Sequence, residues 1–400
     1  MAVTTTMAQA SIASNAFYAP QYKLSIQGQG LPSSVLRDIV EINYHDKIDE
    51  IDNCELTVNN WDADARQFKY IGSDSFDSNG NATPNNPNWT MFDPCNRTVE
   101  LYLGYSGKLE RMITATFTTL EPNFPASGPP ALQVRMLNYL HKLRSTQYSG
   151  SWGGKTDSFI AKDIAKKRDP KTGQPRFPLP IVVNDKASAA EPPIDFVVQN
   201  NQYDVDFLWH RARVHGYDVL IRGEQDKQEL YFGPSGAPER PTYQLEWGQS
   251  LIDFKATVTT ANQYKSVTVC GWDRAAQKEI KEKVDYTDPE LKKLNRNLQH
   301  LVQQCDPREE MVKSLPVFTR AEARKRALAI FQDQAHRFVK ASGTTVGLPL
   351  LRAGAKVQIG KSLGSRLSGT YFVTGTQHTF NNSGYTTRFE ARREDYGELE

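Results

Sequence analysis

The stretch that decides the fold lies near the end of the chain and reads GTYFVTGTQHTFNNSGYTTRFEAR, residues 369–392. Apolar and polar residues alternate on both sides of its centre, so that one face of each segment can lie on a core and the other in solvent. The centre itself, residues 381–384, reads NNSG, which is typical of a hairpin turn. The stretch therefore predicts two long antiparallel strands joined by a tight turn.

The same alternation recurs in the first third of the chain. Four segments show it, through the apolar sets Tyr22, Leu24 and Ile26; Cys54, Leu56 and Val58; Val99, Leu101 and Leu103; and Ile113, Ala115 and Phe117. Period-two alternation is typical of an antiparallel sheet or barrel with one buried face. A polar loop at 73–96 interrupts these strands, and a loop of that length in a compact domain is usually an interaction element or mobile. We expect it to contact another subunit or a tube protein.

The composition changes at the proline-containing segment 122–130, where a mixed helix and strand pattern begins. Thr156 or Asp157 can cap a short helix that buries Ile160 and Ile164 and stops before Pro170. A proline-rich connector follows between 170 and 193. These signals predict the start of a small α/β unit.

The rest of that unit is a second helix followed at once by a strand. Asp204 can cap a helix that carries Phe207, Leu208 and Ala212, and Gly216 is suited to end it in a left-handed conformation. Residues 217–221 are then predicted to form a strand.

Strand signals return from Tyr243 and are interrupted by a charged, helical stretch. An amphipathic helix is predicted from four leucines at three- and four-residue steps, Leu291, Leu294, Leu298 and Leu301. Thr319 with Glu322 forms a capping box that opens the strongest helix of the chain, and Gly343 is its predicted terminator.

Charge and hydropathy exclude several classes of protein. The 400 residues contain 48 lysines and arginines and 46 acidic residues, a formal net charge of +2. This balance lacks the basic excess of proteins that bind nucleic acid or membrane surfaces, and the six tryptophans are not interleaved with basic residues as in a nucleic-acid groove. No apolar run approaches the roughly 18 residues of a membrane span, and the first residues do not resemble a signal peptide. The four cysteines share no metal-site spacing and are expected to be reduced thiols of a protein folded in the cytosol.

No catalytic, cofactor-binding or metal-binding residues are predicted. Residues 354–362 end in Gly-Lys-Ser, but five residues separate the two glycines where a phosphate-binding loop has four, and they alternate as in a strand. His210 and His215 lie on different faces of a helix and would not chelate one ion, and His378 is predicted to be a satisfied histidine in a strand. A strand-rich chain without such chemistry indicates a scaffold rather than an enzyme.

Several segments resemble motifs of the phage late control gene D proteins. These are hub proteins of contractile tails, related to the hub of T-even phages and to the front half of VgrG. The resemblance is carried by VDFLWHRARVHGY at 205–217, VTVCGWD at 267–273, TRAEARKRALA at 319–329, the hairpin at 369–392 and an opening strand and turn at 18–30. The matches follow one another in the family's order and cover roughly residues 15–395.

The resemblance implies an α+β, β-rich fold with two antiparallel β-barrels like those of tail-tube proteins. It predicts a first barrel at 15–126 and an α/β domain with the proline-rich connector at 127–238. It predicts a second barrel from 239–284 and 345–395, with a helical insert at 285–344. The function that it implies is structural: a homotrimeric hub with no enzymatic activity and no cofactor, which adapts the six-fold tail tube to the three-fold spike and continues the central channel.

The partners that the resemblance implies are the trimeric spike, the hexameric tail tube or a tube-initiator protein, and baseplate wedge or LysM-like tail proteins. VgrG-type chains continue into a spike, whereas this chain stops soon after its last barrel strand, so we expect the spike to be a separate polypeptide. Nucleic-acid specificity and a membrane anchor are not expected. The expected location is the baseplate of a virion or injection particle, assembled in the bacterial cytoplasm without a signal peptide.

Two other functions remain open from the residues alone. A receptor- or carbohydrate-binding tail module would bind glycans through exposed aromatic residues such as Trp89. A cell-wall hydrolase would need two carboxylates, or a cysteine and a histidine, in one cleft.

Overall fold

The architecture is dominated by antiparallel strands. A computed structural model of the chain describes residues 4–6, 19–72, 74–76, 82–84, 87–94, 97–105, 108–144, 146–177, 179–215, 217–222, 229–234, 242–261, 263–291, 304, 308–313, 317–364 and 367–393. In these residues one 14-stranded sheet runs through both halves of the chain and five smaller sheets are attached to it. The predicted β-rich α+β class is thereby confirmed.

The first part of the chain forms one half of the large sheet and two short hairpins. Its elements are β1 (Thr4–Thr6), β2 (Pro20–Ile26), β3 (Gln29–Gly30), α1 (Ser33–Asp38), β4 (Ile39–Lys47), β5 (Asn53–Asn59), β6 (Trp61–Asp62), β7 (Gln67–Phe68), β8 (Asp74–Phe76), β9 (Ala82–Pro84), β10 (Val99–Tyr105), β11 (Lys108–Asn123) and β12 (Ala131–Asn138). The antiparallel order is β4-β5-β12-β11-β10-β2-β3. Alternate residues face one core, so that Cys54, Leu56 and Val58 of β5 are fully buried while their neighbours are half-buried.

The middle of the chain folds around a second core. Its elements are β13 (Gln147–Trp152), α2 (Asp157–Lys166), β14 (Ile181–Val183), α3 (Asp185–Ala189), β15 (Val197–Tyr203), α4 (Asp204–His215), β16 (Tyr217–Arg222) and β17 (Glu229–Pro234). β13 pairs with β15, and β14, β17 and β16 form a three-stranded sheet. Ile160 and Ile164 of α2 share this core with Phe207 and Leu208 of α4. The helices and strands of this segment thus share one core.

The last part of the chain supplies the other half of the large sheet. Its elements are β18 (Thr242–Leu245), β19 (Leu251–Val258), β20 (Tyr264–Asp273), β21 (Lys278–Asp285), β22 (Arg308–Val312), α5 (Arg320–His336), β23 (Val339–Val346), β24 (Lys356–Ile359), β25 (Gly369–Asn381) and β26 (Gly384–Arg393). The order is β18-β24-β25-β26-β23-β19, and β1 pairs in parallel with β18. β21, β20 and β22 form a separate sheet against which α5 packs.

Strand β25 joins the two halves of the large sheet. Its first residues pair with β24, and from Tyr371 onward it pairs with β26 on the other side. From Gly375 to Asn381 it also pairs with β4 of the first half. One strand is therefore hydrogen-bonded into both halves.

The local predictions are largely confirmed. Thr156 accepts a hydrogen bond from the Phe159 amide and caps α2, and Thr319 accepts one from the Glu322 amide. The Glu322 carboxylate accepts from the Phe318 amide, one residue before the Thr319 amide to which the carboxylate of a capping box reaches back. Residues 381–384 form the turn between β25 and β26.

Several local predictions are wrong or differ in detail. Gly343 does not end α5, which stops at His336; it lies in β23, where its Cα approaches Phe389 too closely for a side chain. Asp204 is the first residue of α4 rather than its flanking cap, and its carboxylate accepts hydrogen bonds from Arg176 and Gln199 instead.

The predicted unit boundaries differ from the strand pairing at two places. β12 lies beyond residue 126 yet pairs with β5 and β11 of the first half. β23 falls inside the predicted helical insert 285–344 yet pairs with β19 and β26. Gly216 and the leucine-rich helix beyond Leu291 lie outside the described residues. The closure of each half into a barrel remains a prediction.

Candidate assembly interface

A buried ion pair lies where the two halves of the large sheet meet. The Asp46 carboxylate of β4 accepts hydrogen bonds from Arg352 Nε at 2.6 Å, from the Ala353 amide at 2.8 Å and from Thr376 Oγ1 at 2.9 Å. Arg352 also donates to the Tyr44 hydroxyl, and its guanidinium lies 4.6 Å from the centroid of that ring. Asp46 is 4% exposed, so a carboxylate of the first half is enclosed by donors of the second.

A neutral histidine continues this polar cluster along β25. His378 is fully buried, and its Nε2 lies 3.0 Å from the Leu351 carbonyl, which can only accept, so Nε2 carries the proton. Nδ1 then accepts from the Tyr385 hydroxyl at 2.8 Å. Burial lowers the pKa of His378 to about 3, and the neighbouring Arg352 acts in the same direction. The prediction of a satisfied histidine is confirmed.

The segment that carries Arg352 is held against the first half at its other end as well. The Tyr105 hydroxyl at the end of β10 donates to the Gly347 carbonyl at 2.9 Å, and the Gly347 amide donates to the Tyr385 carbonyl at 2.8 Å. A Cβ at position 347 would lie 2.0 Å from Cδ1 of Tyr385, so only glycine fits here. We call the cluster around Asp46, Arg352 and His378 the joint.

The hydrogen bonds of the joint connect the two halves of the large sheet directly. These hydrogen bonds need specific distances, whereas apolar contacts between the halves would tolerate sliding. Among the described residues, the Asp46 carboxylate and the Arg352 guanidinium are enclosed by protein groups of the two halves. The arrangement can hold two sheets in one relative orientation.

Two edges of the large sheet are open to a partner. Among the described residues, β19 has a strand neighbour on one side only, and β3 covers only Ser25 and Ile26 of β2. The β19 edge also exposes apolar side chains, because Ile252 and Val258 are 59% and 47% exposed. Unpaired strand edges with apolar residues are suited to pairing with another chain.

A family model described as the Alg8 N-terminal domain matches residues 18–382 of this chain. The chain belongs to the Alg8 N-terminal domain family. A search of curated proteins found no match.

Solved structures with the same fold as this chain come from phage tails and a secretion system. The 43 kDa tail protein of prophage MuSo2 from Shewanella oneidensis has a TM-score of 0.65 and 15% identity, over 94% of this chain and 99% of that one. The tail protein of Neisseria meningitidis MC58 has a TM-score of 0.63 and 13% identity, over 94% and 97%. The E. coli c3393 protein, a component of the type VI secretion system described as similar to T4 tail proteins gp27 and gp5, has a TM-score of 0.52 and 11% identity, over 94% and 79%. This chain thus has the fold of phage tail proteins.

The structure describes part of the predicted contact loop. Within 73–96, β8 pairs with β9 and a single 3-10 turn spans Pro87–Thr90. Trp89 is half-buried, and its ring lies against Gly72, where a Cβ would come within 2.1 Å of it. Trp89 is therefore not the freely exposed aromatic residue that a glycan-binding platform needs.

The remaining sequence candidates are structural. Residues 356–359 of the glycine-lysine motif are the strand β24, as predicted. His215 binds the buried Asp157 together with Arg211, away from His210. Cys54 and Cys270 are free and buried, while the other two cysteines lie outside the described residues. Within the described ranges no three histidine, cysteine or acidic side chains lie together as metal ligands, and no helix is both long and apolar enough to cross a membrane.

Sequence reasoning missed the joint. Asp46 and Arg352 are 306 residues apart, and neither belongs to a recognisable motif. The sequence feature that could have indicated the joint is Asp46 itself, an acidic residue at an inward position of an alternating strand.

Proposed function

We propose that this chain is the structural hub of a contractile tail, in a phage or in a phage-like injection particle. Three copies form a ring that adapts the six-fold tail tube to the three-fold spike and continues the central channel. The observation that carries the proposal is the doubled sheet. One half is built on β2, β4, β5, β10, β11 and β12, and the other on β18, β19, β23, β24, β25 and β26. Three copies therefore bring six similar halves to a six-fold partner.

The joint supports this role because a symmetry adaptor needs its two halves in a fixed relation. The two halves of one chain must have the same relative orientation as two adjacent halves that belong to neighbouring chains. A buried, multiply hydrogen-bonded ion pair provides an orientation with little freedom, and such pairs are best known for specifying geometry. The open edges of β19 and β2 are then the surfaces through which copies meet.

The fold shared with phage tail proteins supports a structural rather than a catalytic role. The proposed partners are two further copies, a separate spike protein, the tail tube or a tube initiator, and baseplate wedge or LysM-like proteins. The proposed place is the baseplate of the particle. We also propose the predicted order of units, with the first extended to residue 138 to include β12.

Native mass spectrometry of the purified chain, with and without spike and tube proteins, tests the ring. Three copies of the 45.1 kDa chain give 135.3 kDa, and we expect that mass alone or with spike protein. A chain that stays monomeric with every partner supplied would contradict the hub and favour a binding module.

A matched pair of variants tests the β19 edge. Ile252→Lys with Val258→Lys places two charges on that edge and should abolish the 135.3 kDa species. Trp272→Lys with Met311→Lys changes two equally exposed apolar residues on the separate β20–β22 sheet and should leave it intact. Equal loss in both variants would show that apolar exposure in general, and not the β19 edge, drives association.

A further inference from the structure

The α/β unit carries a segment with an excess of positive charge. Residues 155–176 contain seven lysines and arginines and three aspartates, within a chain whose net charge is only +2. Phe159 is exposed, and so are five of these cations: Lys155, Lys162, Lys166, Arg168 and Lys171. We call this set with Phe159 the basic face.

The three aspartates do not neutralise the basic face because each is engaged elsewhere. Asp157 is 1% exposed and accepts from Arg211 and His215. Asp163 accepts from the Trp152 indole at 2.8 Å. Asp169 accepts from the Tyr148 hydroxyl and from two backbone amides of its own turn. Among the described residues, no carboxylate lies within ion-pair distance of the five exposed cations.

The basic face is held rigidly. Phe159, Lys162 and Lys166 follow one another on one side of α2, at three- and four-residue steps. The next turn is closed by hydrogen bonds between Asp169 and Gln174 and between Lys167 and Arg176, and Arg168 donates to the Gly173 carbonyl. A partner would thus meet cations that lose little backbone freedom on binding.

Three aromatic rings of this unit favour an acidic protein over a single-stranded nucleic acid as the partner. Lys155 Nζ lies 4.8 Å from the Phe159 ring centroid, and Lys167 Nζ lies 4.1 Å from that of Trp152. The Arg176 guanidinium lies 3.2 Å from the Tyr148 centroid. Single-stranded nucleic acids need free aromatic faces on which bases stack, and one face of each of these three rings is already occupied by a cation of the chain itself.

We propose that the basic face is a docking surface for an acidic protein. Aspartate and glutamate side chains of the partner contact the five cations, and an apolar side chain covers the exposed edge of Phe159, which is 46% exposed. Neither contact requires the chain to form a ring, so this proposal and the hub proposal fail independently.

The test compares binding of poly-L-glutamate to the full chain and two charge-matched variants, by fluorescence anisotropy. Lys162→Glu, Lys166→Glu and Lys171→Glu change the basic face; Lys278→Glu, Lys281→Glu and Lys283→Glu change three exposed lysines of β21 by the same net charge. We expect the first variant to bind about tenfold more weakly and the second within about twofold of the unmodified chain. The difference should shrink between about 50 mM and about 200 mM salt.

Two further results bear on the partner. Phe159→Ser keeps every charge, and it should leave poly-L-glutamate binding unchanged while weakening binding of a glutamate-rich peptide that contains leucines. Equal weakening by the two triple variants would overturn the basic face as a specific surface. Tighter binding of oligothymidylate than of poly-L-glutamate, lost in the first triple variant, would overturn the choice of a protein partner. Thermal unfolding of each variant confirms that it is folded.

Discussion

Replacing Asp46 by alanine should be among the most destabilising single changes in this protein. The substitution removes three hydrogen bonds of 2.6–2.9 Å and leaves the Arg352 guanidinium in a site where its side chain is only 11% exposed. Breaking one partner of a buried ion pair typically costs about 3–5 kcal/mol, because the remaining charge is uncompensated. We expect about 3–4 kcal/mol, since the residual exposure of Arg352 lets water reach part of the guanidinium.

Urea unfolding followed by circular dichroism and by tryptophan fluorescence measures this cost. Asp333→Ala is the control, because it removes the exposed pair with Arg337 on α5 and should cost about 0.5 kcal/mol. Asp46→Leu combined with Arg352→Met removes both charges of the joint and should cost clearly less than Asp46→Ala alone, with a favourable coupling in the double-mutant cycle. The two probes should also separate in Asp46→Ala, because the halves of the sheet lose their common anchor.

One result would refute this reasoning. If Asp46→Ala costs no more than Asp333→Ala, and both probes still report a single transition, the joint does not hold the halves together. The proposal that it fixes their orientation would then fail as well.

Four further predictions concern other sites. The contribution of His378 to the free energy of unfolding should fall by about 1.4 kcal/mol per pH unit as the pH decreases from about 6 to about 3. Over that range His378 stays neutral in the folded state, whereas the unfolded state takes up a proton near pH 6.5. The slope from pH titrations of urea unfolding should therefore be smaller by about one proton in His378→Gln. Gly347→Ala should cost about 1–3 kcal/mol through its clash with Tyr385, whereas Gly30→Ala, with open space around its Cα, should be nearly neutral in the same assay. Thr319→Ala should cost about 1 kcal/mol in thermal unfolding through loss of the α5 cap, and restoration by Thr319→Ser would distinguish the cap from packing. Deleting 75–86 should leave the unfolding midpoint nearly unchanged but reduce co-assembly with tube protein in a pull-down, and full co-assembly would remove that loop as a contact.

Local signals predicted most of the secondary structure correctly. The caps at Thr156 and Thr319 and the turn at 381–384 depend on residues within a few positions of one another, so the sequence alone specifies them. The same reasoning failed at Gly343, where glycine is required by the close approach of Phe389 across the sheet and not by the end of a helix.

The arrangement of the halves could not be predicted in the same way. β12 follows a proline-containing segment that suggested a boundary, yet its place is decided by pairing with β5, whose residues are far away in the sequence. The joint depends on contacts across more than 300 residues, such as the 2.9 Å hydrogen bond from Thr376 to Asp46. No periodicity or residue spacing within either segment indicates that pairing.

The pairing of β4 with β25 has a consequence for synthesis of the protein. Asp46 and its partner Thr376 are separated by 330 residues. At elongation rates of about 5–20 residues per second, the β4 edge therefore emerges from the ribosome about 15–65 s before the strand that covers it. During that interval the nascent chain exposes an unpaired strand edge whose alternate side chains are buried in the folded protein. Chains on the same polysome can pair through that edge. Chaperone occupancy of the nascent chain should therefore persist until the last strands have been made.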